Sequence, residues 1–399
     1  MATENKKYIP TLRFPEFQND GEWKRCKLSD VAVRKGKKNT KGIELPVYTN
    51  SATSGVISQE DYFDREIVTK ENLVNYGIIE PNDFVYNPRV SVTAPVGPIS
   101  RNKLSRGIMS PLYLIFGFNG GDINFFEHYF KGNSWHNYLR AKANYGARFD
   151  RINIGTKEFM DMPIPYPSLT EQKKVADCLS SLDNYIDATK RKLELLKEHK
   201  KGLMQRLFPA KGKTTPELRF PEFQNDGEWK CVIIGDIINT INPPKKLQSS
   251  EYKKKGAFPI VDQSASYIAG YSDNGDAVID NNGYNYIVFG DHTCSLKLID
   301  FPFIQGADGI KIFKSKITEV LTEYLYQYIF AHPINSKEYK RHFSDLKEKL
   351  LLYPTKACEQ KKIADCLSSL DNYIDATKRK LELLKEHKKG LMQQLFPKL

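Results

Sequence analysis

Residues 171–208 read EQKKVADCLSSLDNYIDATKRKLELLKEHKKGLMQRLF, and residues 359–396 read EQKKIADCLSSLDNYIDATKRKLELLKEHKKGLMQQLF. Only two positions differ, Val175 against Ile363 and Arg206 against Gln394. In the first copy Val175, Leu179, Leu182, Ile186, Thr189, Leu193, Leu196, Lys200, Leu203 and Leu207 follow one another in steps of four and three. That is a heptad seam, the spacing at which a helix turns one apolar stripe toward a partner helix. Thr189 and Lys200 interrupt it. The second copy repeats the seam through Ile363, Leu367, Leu370, Ile374, Leu381, Leu384 and Leu391. Ser168 and Glu171 have capping-box spacing at the first start, and the second start has Thr355 as its comparable cap. Pro209 and Pro397 stop the two helices. The charged flanks, residues 190–192 and 197–201, suit solvent better than a buried core.

A second repeat frames the first. Leu12–Lys24, LRFPEFQNDGEWK, recurs unchanged as Leu218–Lys230. The order is short repeat, variable stretch, long repeat, then the same again. The variable stretches share only traces, such as LSDVA around Asp30 against IGDII around Asp236. The first helix leads from one variable stretch to the next, and the second begins where that next stretch ends. If the seams pair, the helices are antiparallel and roughly 57 Å long at about 1.5 Å per residue. The expected fold is α+β: two globular domains separated by a pair of long antiparallel coiled-coil helices, with an internal pseudo-two-fold repeat. The expected divisions are 1–170, 171–209, 210–358 and 359–399.

Both variable stretches read as short strands between Gly, Pro and Asn turns, such as LPVYTN, DFVYN, SPLYLIFGF and DMPIPYP, then GAFPIVD, NYIVFGD and GIKIFKS. Residues 123–143, TEYLYQYIFAH and SKEYKRHFSDLKEKL read as helical.

The chain of 399 residues carries a net charge of +12. A polyanion partner, most simply nucleic acid, suits that charge. The surplus is uneven: residues 25–160 are net +6, whereas residues 231–350 are neutral. No run of about 18 apolar residues exists and no signal-like stretch opens the chain, so a cytoplasmic protein is expected. Cys26, Cys178, Cys231, Cys294, Cys358 and Cys366 form no CxxC pair, which argues against metal ligation and disulfides.

Basic and aromatic clusters in the expected loops are the candidate DNA contacts. In the first variable stretch they are Lys35, Lys37, Lys38, Arg89, Arg101, Asn144, Tyr145, Arg148 and Arg151. In the second they are Lys245, Lys246, Lys253, Lys254, His292, Lys297, Lys340 and Arg341. Arginine can grip a guanine edge with two bonds and asparagine an adenine edge, while lysine mostly follows phosphate. An ordinary solvated loop would also account for each cluster. Catalytic parts are missing from the sequence. There is no GxxxxGK[ST] phosphate loop and no HExxH pair. Asn242-Pro243-Pro244 is followed by Lys245, which cannot stack on an extruded base as an aromatic would. A non-catalytic chain with no metal and no cofactor of its own is expected.

LRFPEF…GEW opening each half, with MPIPYPSLTEQKKVAD (162–177) leading into a long helix that ends LMQRLF, resembles the specificity subunit of type I restriction-modification systems. The second lead-in, LLLYPTKACEQKKIAD (350–365), lacks the Pro-x-Pro-x-Pro spacing. The resemblance implies that each variable stretch is a target-recognition domain reading one half of a split, asymmetric double-stranded DNA site. It implies that the helical repeats set the spacing and dock two modification subunits that methylate adenine with S-adenosylmethionine. It also implies restriction subunits that use ATP and Mg. Two readers related by a two-fold axis would meet one face of DNA about one helical turn apart, roughly 34–36 Å. A coiled-coil scaffold whose heads bind protein is the alternative.

Overall fold

The computed structural model describes residues 8–62, 70–145, 150–334 and 340–397. The chain divides into two compact units, Met1–Thr189 with Lys380–Leu399, and Lys190–Arg379. The strands of the first unit are β1 (Lys24–Lys27), β2 (Ala32–Arg34), β3 (Val47–Ser51), β4 (Gly55–Ser58), β5 (Gly77–Ile79), β6 (Phe84–Tyr86), β7 (Ile99–Arg101), β8 (Gly107–Met109), β9 (Leu114–Phe118), β10 (Asn144–Tyr145), β11 (Ile152–Asn153) and β12 (Pro163–Tyr166). Its helices are α1 (Leu28–Val31), α2 (Gln59–Tyr62), α3 (Ile123–Lys131), α4 (His136–Lys142) and α5 (Thr156–Met160), followed by the long helix α6 (Leu169–Leu207). The second unit holds the end of α6, then α7 (Ile234–Ile237), α8 (Thr322–Ala331), α9 (Phe343–Lys347) and the start of α10 (Ala357–Leu395). Its strands are β13 (Lys230–Ile233), β14 (Ile238–Ile241), β15 (Phe258–Val261), β16 (Gly270–Ser272), β17 (Val278–Ile279), β18 (Tyr286–Gly290), β19 (Leu296–Ile299), β20 (Phe303–Gln305), β21 (Ile310–Ser315) and β22 (Leu350–Tyr353).

The variable stretches, so unlike in sequence, have the same topology. The first unit contains sheets β4-β3-β8-β5 and β2-β9-β6-β7, and the second contains β16-β15-β20-β17 and β14-β21-β18-β19. In each unit the first of these sheets has one parallel pair, with Val47 opposite Ile108 in β3 and β8, and Ile260 opposite Ile304 in β15 and β20. Short strands rich in aromatic and β-branched residues suit such a half-buried pleat. The first core is aromatic: Phe84, Phe116, Phe125, Phe126, Phe130, Trp135 and Phe159 are all buried. Phe118 and Phe126 stack with ring centroids 3.9 Å apart. The helical stretch expected over residues 123–143 is broken into α3 and α4. Asp122 caps α3 by accepting from the amides of Asn124 and Phe125. The expected helix over SKEYKRHFSDLKEKL shrinks to α9, because Leu350 already belongs to β22. Residues 336–339 of that stretch lie outside the described residues.

Each unit contains its own antiparallel helix pair. In the first, Lys388 of α10 binds Asp183 of α6, and Lys380 stands 4.8 Å from the Tyr185 ring. In the second, Lys200 of α6 binds Asp371 of α10 at 2.5 Å, and Lys192 stands 4.7 Å from the Tyr373 ring. These are copies of the same contacts, 188 positions apart. Both interruptions of the heptad are thereby explained. The seam lysines carry ion pairs. The seam threonines, Thr189 and Thr377, donate to the carbonyls of Tyr185 and Tyr373 one turn back, at 2.8 Å. Val175, Leu179, Ile363 and Leu367 are buried in the domain cores, whereas Leu182, Ile186, Leu370 and Ile374 are half-buried. Leu193 and Leu381 are buried too, while Leu196, Leu203, Leu384 and Leu391 are half-buried.

The short repeat ties each domain to its helices. The Leu12 amide donates to the Gln394 carbonyl at the end of α10, and the Leu218 amide to the Arg206 carbonyl at the end of α6. Arg13 forks onto Glu171 at 2.7 and 2.8 Å, and Arg219 onto Glu359 at 2.8 Å through both nitrogens. Gln172 and Gln360 sit beside those carboxylates. Gln172 donates to the Pro167 carbonyl and accepts from the Asp122 amide. Gln360 donates to Pro354 and accepts from Leu321. The missing prolines before the second helix leave the path unchanged, since β22 pairs with β13 as β12 pairs with β1.

Candidate nucleic-acid interface

Matching topology places the basic clusters at matching positions. The connection β2–β3 carries Lys35, Lys37 and Lys38, and the corresponding connection β14–β15 carries Lys245, Lys246, Lys253 and Lys254. The connection β6–β7 carries Arg89, and its counterpart β18–β19 carries His292. Two loops per unit therefore present candidates from the same place on the same scaffold.

In the first unit the β6–β7 connection meets the β10–β11 hairpin. Arg89 and Arg151 form an isolated antiparallel bridge. The Val90 amide donates to the Asp150 carbonyl and the Ile152 amide to the Pro88 carbonyl, both at 2.9 Å. Asn144 lies opposite Asn153 and Tyr145 opposite Ile152. The sequence-predicted group Arg89, Asn144, Tyr145 and Arg151 is thus gathered at one place, with Arg89, Asn144 and Arg151 exposed. Arg148 lies outside the described residues.

The β6–β7 loop is stiff. Gly97 has φ +80°, and a Cβ there would stand 2.1 Å from the Asn87 carbonyl oxygen, so no other residue fits. Asn87 donates to the Asn50 carbonyl at 2.9 Å and accepts from the Arg89 amide at 3.0 Å. Ser91 and Ala94 exchange backbone hydrogen bonds across the tip. A stiff loop offering an arginine beside a second arginine and an asparagine can present donors to base edges at low ordering cost.

Two candidates have their charged groups engaged within their own domain. Lys297 is only 6% exposed. Its ammonium donates to the carbonyls of Asp262 and Ser266, and burial pushes its pKa down. Arg101 is half-buried, and its guanidinium is spent on Asn82, Asn124 and Glu127. Lys297 points inward, and Arg101 borders a cleft with its guanidinium tied down, matters of side-chain path that composition does not reveal. Lys35, Lys246, Lys253 and Lys340 are exposed but tied to Asp83, Asp308, Asp273 and Asp345. Lys37, Lys38, Lys245, Lys254 and Arg341 are exposed, and His292 is half-buried.

One cluster went unread in the sequence. Glu127 of α3 collects Lys103 at 2.7 Å, Lys131 at 2.9 Å and Arg101 at 3.3 Å. Burial alone would raise its pKa, but the bonds from Lys103 and Lys131 outweigh that and hold it at about 2. The i,i+4 spacing of Glu127 and Lys131 was the available signal.

A family model for the type I restriction modification DNA specificity domain matches residues 20–198 and again residues 226–386. The chain therefore belongs to that family. It is a two-domain specificity subunit, a recognition component of a type I restriction-modification system. Over 436 residues it is 25% identical to the type I restriction enzyme MjaVIII specificity subunit of Methanocaldococcus jannaschii, spanning 98% of this chain and 95% of that one. The fold is similar to the type I S subunit from M. genitalium, with TM-score 0.66 at 16% identity over 98% of this chain and 100% of that one. A chain from a structural study of type I R-M complex assembly and conformational transition matches with TM-score 0.50, at 16% identity over 94% and 97%. Among the described residues no helix is long and apolar enough to cross a membrane.

Proposed function

We propose that each domain reads one half of a bipartite, asymmetric double-stranded DNA target, and that the helical repeats set the spacing between the halves. In this reading the near-identical repeats also dock two modification subunits, which methylate adenine with S-adenosylmethionine. Restriction subunits using ATP and Mg join the same complex, and this chain brings no cofactor of its own. In this reading the chain works in the cytoplasm.

One observation carries the reading. Two domains of one topology hang on one repeated frame, yet their loops differ in length and charge. The connection β6–β7 spans residues 87–98, while β18–β19 spans only 291–295. A constant frame suits a repeated partner, and changed loops suit unequal half-sites. In the first domain Arg89 and Arg151 supply base-edge donors, and Lys37 and Lys38 follow phosphate. In the second, Lys245 and Lys254 take the phosphate role, and His292 stands on the shorter reading loop.

Methylome sequencing of a host carrying this chain with its partner subunits tests the reading. Adenine methylation in a motif of two unlike halves around a fixed unread gap is expected. Methylation confined to a single uninterrupted motif would contradict it.

A further inference from the structure

The same face of the repeat lines a cleft in each unit. In the first unit Lys385, Lys388, Lys389, Met392 and Gln393 border a cleft of about 750 Å³. In the second unit the copies of those residues, Lys197, Lys200, Lys201, Met204 and Gln205, border a cleft of about 760 Å³. These five helix residues are identical in the two clefts, although Asp371 and Ile374 border only the second, so the domain wall supplies most of the difference in what each cleft can hold.

The two domain walls differ in kind. In the second unit the domain wall is Phe330, Ala331, His332 and Pro333, and Phe208, Pro209, Ala210 and Lys211 close the cleft beyond the end of α6, so Lys211 is the one cation added to the three helix lysines. There Lys200 is engaged by Asp371 and stands 4.3 Å from the Phe330 ring. In the first unit the domain contributes Arg101, Lys103 and Lys131, and the helix adds Lys385, Lys388 and Lys389. Against these six cations stand Glu127 in the wall, Asp183 beneath Lys388 and Glu382 beside Lys385. Three positive charges are left over. Ser51, Thr53 and Ser100 line the same space, the Ser51 hydroxyl being engaged by Thr53 and Ser54. Surplus ammonium groups with neutral donors around a concave surface match the phosphodiester backbone.

We propose that the first unit's cleft holds a stretch of DNA phosphate backbone, so that Lys385 and Lys389 of the C-terminal helical repeat are direct DNA contacts. The inference rests on the reading of this chain as a DNA specificity subunit. It makes one helical repeat part of the DNA interface as well as a spacer. Lys385 and Lys389 are both exposed, so they can swing toward a backbone without disturbing the seam. Arg101 and Lys131 hold Glu127 and shape the wall.

The test pairs two variants that remove the same charges from the two copies of one sequence. The chain, assembled with its modification subunits, is titrated with duplex DNA carrying the methylome-defined target across a range of salt. Lys385→Ala with Lys389→Ala is expected to weaken binding and to flatten the plot of log affinity against log salt by about 2, at about 0.9 for each phosphate no longer neutralised. The methylated motif stays the same. Lys197→Ala with Lys201→Ala is expected to leave the slope unchanged. An unaltered slope in the first variant, or equal flattening in both, overturns the proposal while leaving the specificity-subunit reading intact. Loss of subunit assembly in the first variant, with normal DNA binding by what does assemble, assigns the cleft to a protein partner and also overturns it. No DNA binding by the unsubstituted complex would overturn both readings.

Discussion

The ammonium of Lys200 lies 2.5 Å from the carboxylate of Asp371, at a seam position where a heptad favours an aliphatic side chain. Its copy, Lys388 on Asp183, holds the other unit. Each pair is joined by a domain helix: Gln327 of α8 donates to Asp371 at 3.2 Å, and Lys131 of α3 lies 3.8 Å from Asp183. A charged pair inside an apolar seam admits few registers, because a slipped seam would leave a buried ammonium opposite leucine. The pair therefore fixes both the helix register and the seating of the domain on it.

The two partners of this pair should be unequal under mutation. Lys200 is 5% exposed, so Asp371→Ala strands a buried ammonium and should cost about 3 kcal/mol. Lys200→Met fills the seam and leaves a carboxylate that is 35% exposed, so the cost should be nearer about 1 kcal/mol. Urea unfolding of the two variants measures the difference, and equal costs would show that the pair is not desolvated.

The anchor between short and long repeat should be as sensitive. Glu171 is 1% exposed and Arg13 grips it through two nitrogens. Arg13→Ala should destabilise the first unit by about 3–5 kcal/mol, since it leaves a buried, unpaired carboxylate. Arg13→Lys should recover little, because an ammonium cannot reproduce the fork. Arg219→Ala should behave alike in the second unit through Glu359. Thermal unfolding followed by tryptophan fluorescence, through buried Trp23 and Trp229, reports on each.

Acid should weaken the first unit through a histidine. Burial, reinforced by the charges of Lys131 and Lys388, holds the His128 pKa at about 4, against 6.5 for the free group. Between those values the unfolded chain binds the proton and the folded chain does not. Stability is therefore fully present above about pH 6.5 and is lost as pH falls toward 4, by on the order of 3 kcal/mol. His128→Gln, which can keep the bond to Ser180, should remove about half of the loss between pH 7.5 and pH 4.5 in urea titrations, the rest coming from His136, whose pKa burial likewise holds at about 4. An unchanged pH profile would remove His128 as the cause.

Two lysines of the second domain should separate by role. Lys297→Ala removes a buried side chain whose ammonium donates to the carbonyls of Asp262 and Ser266, and should lower stability by about 1–2 kcal/mol. Lys254→Ala, on an exposed loop, should leave stability within about 0.5 kcal/mol and lower the salt dependence of DNA binding by the assembled complex. The reverse pattern would mean that the loop assignment is inverted.

The frame was legible because it is written twice. The heptad through Val175, Leu179 and Leu182 and the closing prolines carry local signals, and Ser168 caps α6 by accepting from the Glu171 amide, but the Glu171 carboxylate goes to Arg13 and the matching position before α10 is Lys356, not the expected Thr355. Repetition also marked Arg13, Glu171 and Gln172, but it could not show that they touch, because the contact joins residues 158 positions apart. The shared topology of the domains was hidden for a different reason. Phe84-Val85-Tyr86 and Tyr286–Gly290 fill equivalent strands with different side chains, and a core accepts many such fillings if volume and pattern are kept. Base-contact candidates were the least legible. Arg101 and Lys297 look like any loop cation until the carboxylate and carbonyls that absorb them are in view.

The central claim is that frame and contents act separately, the repeats setting spacing and each domain reading its own half-site. Replacing residues 25–160 with the equivalent stretch of another specificity subunit, then mapping methylated sites in the host, tests it most directly. The account predicts that one half of the motif changes while the other half and the gap stay as they were. A motif altered in both halves, or altered in neither, would contradict it.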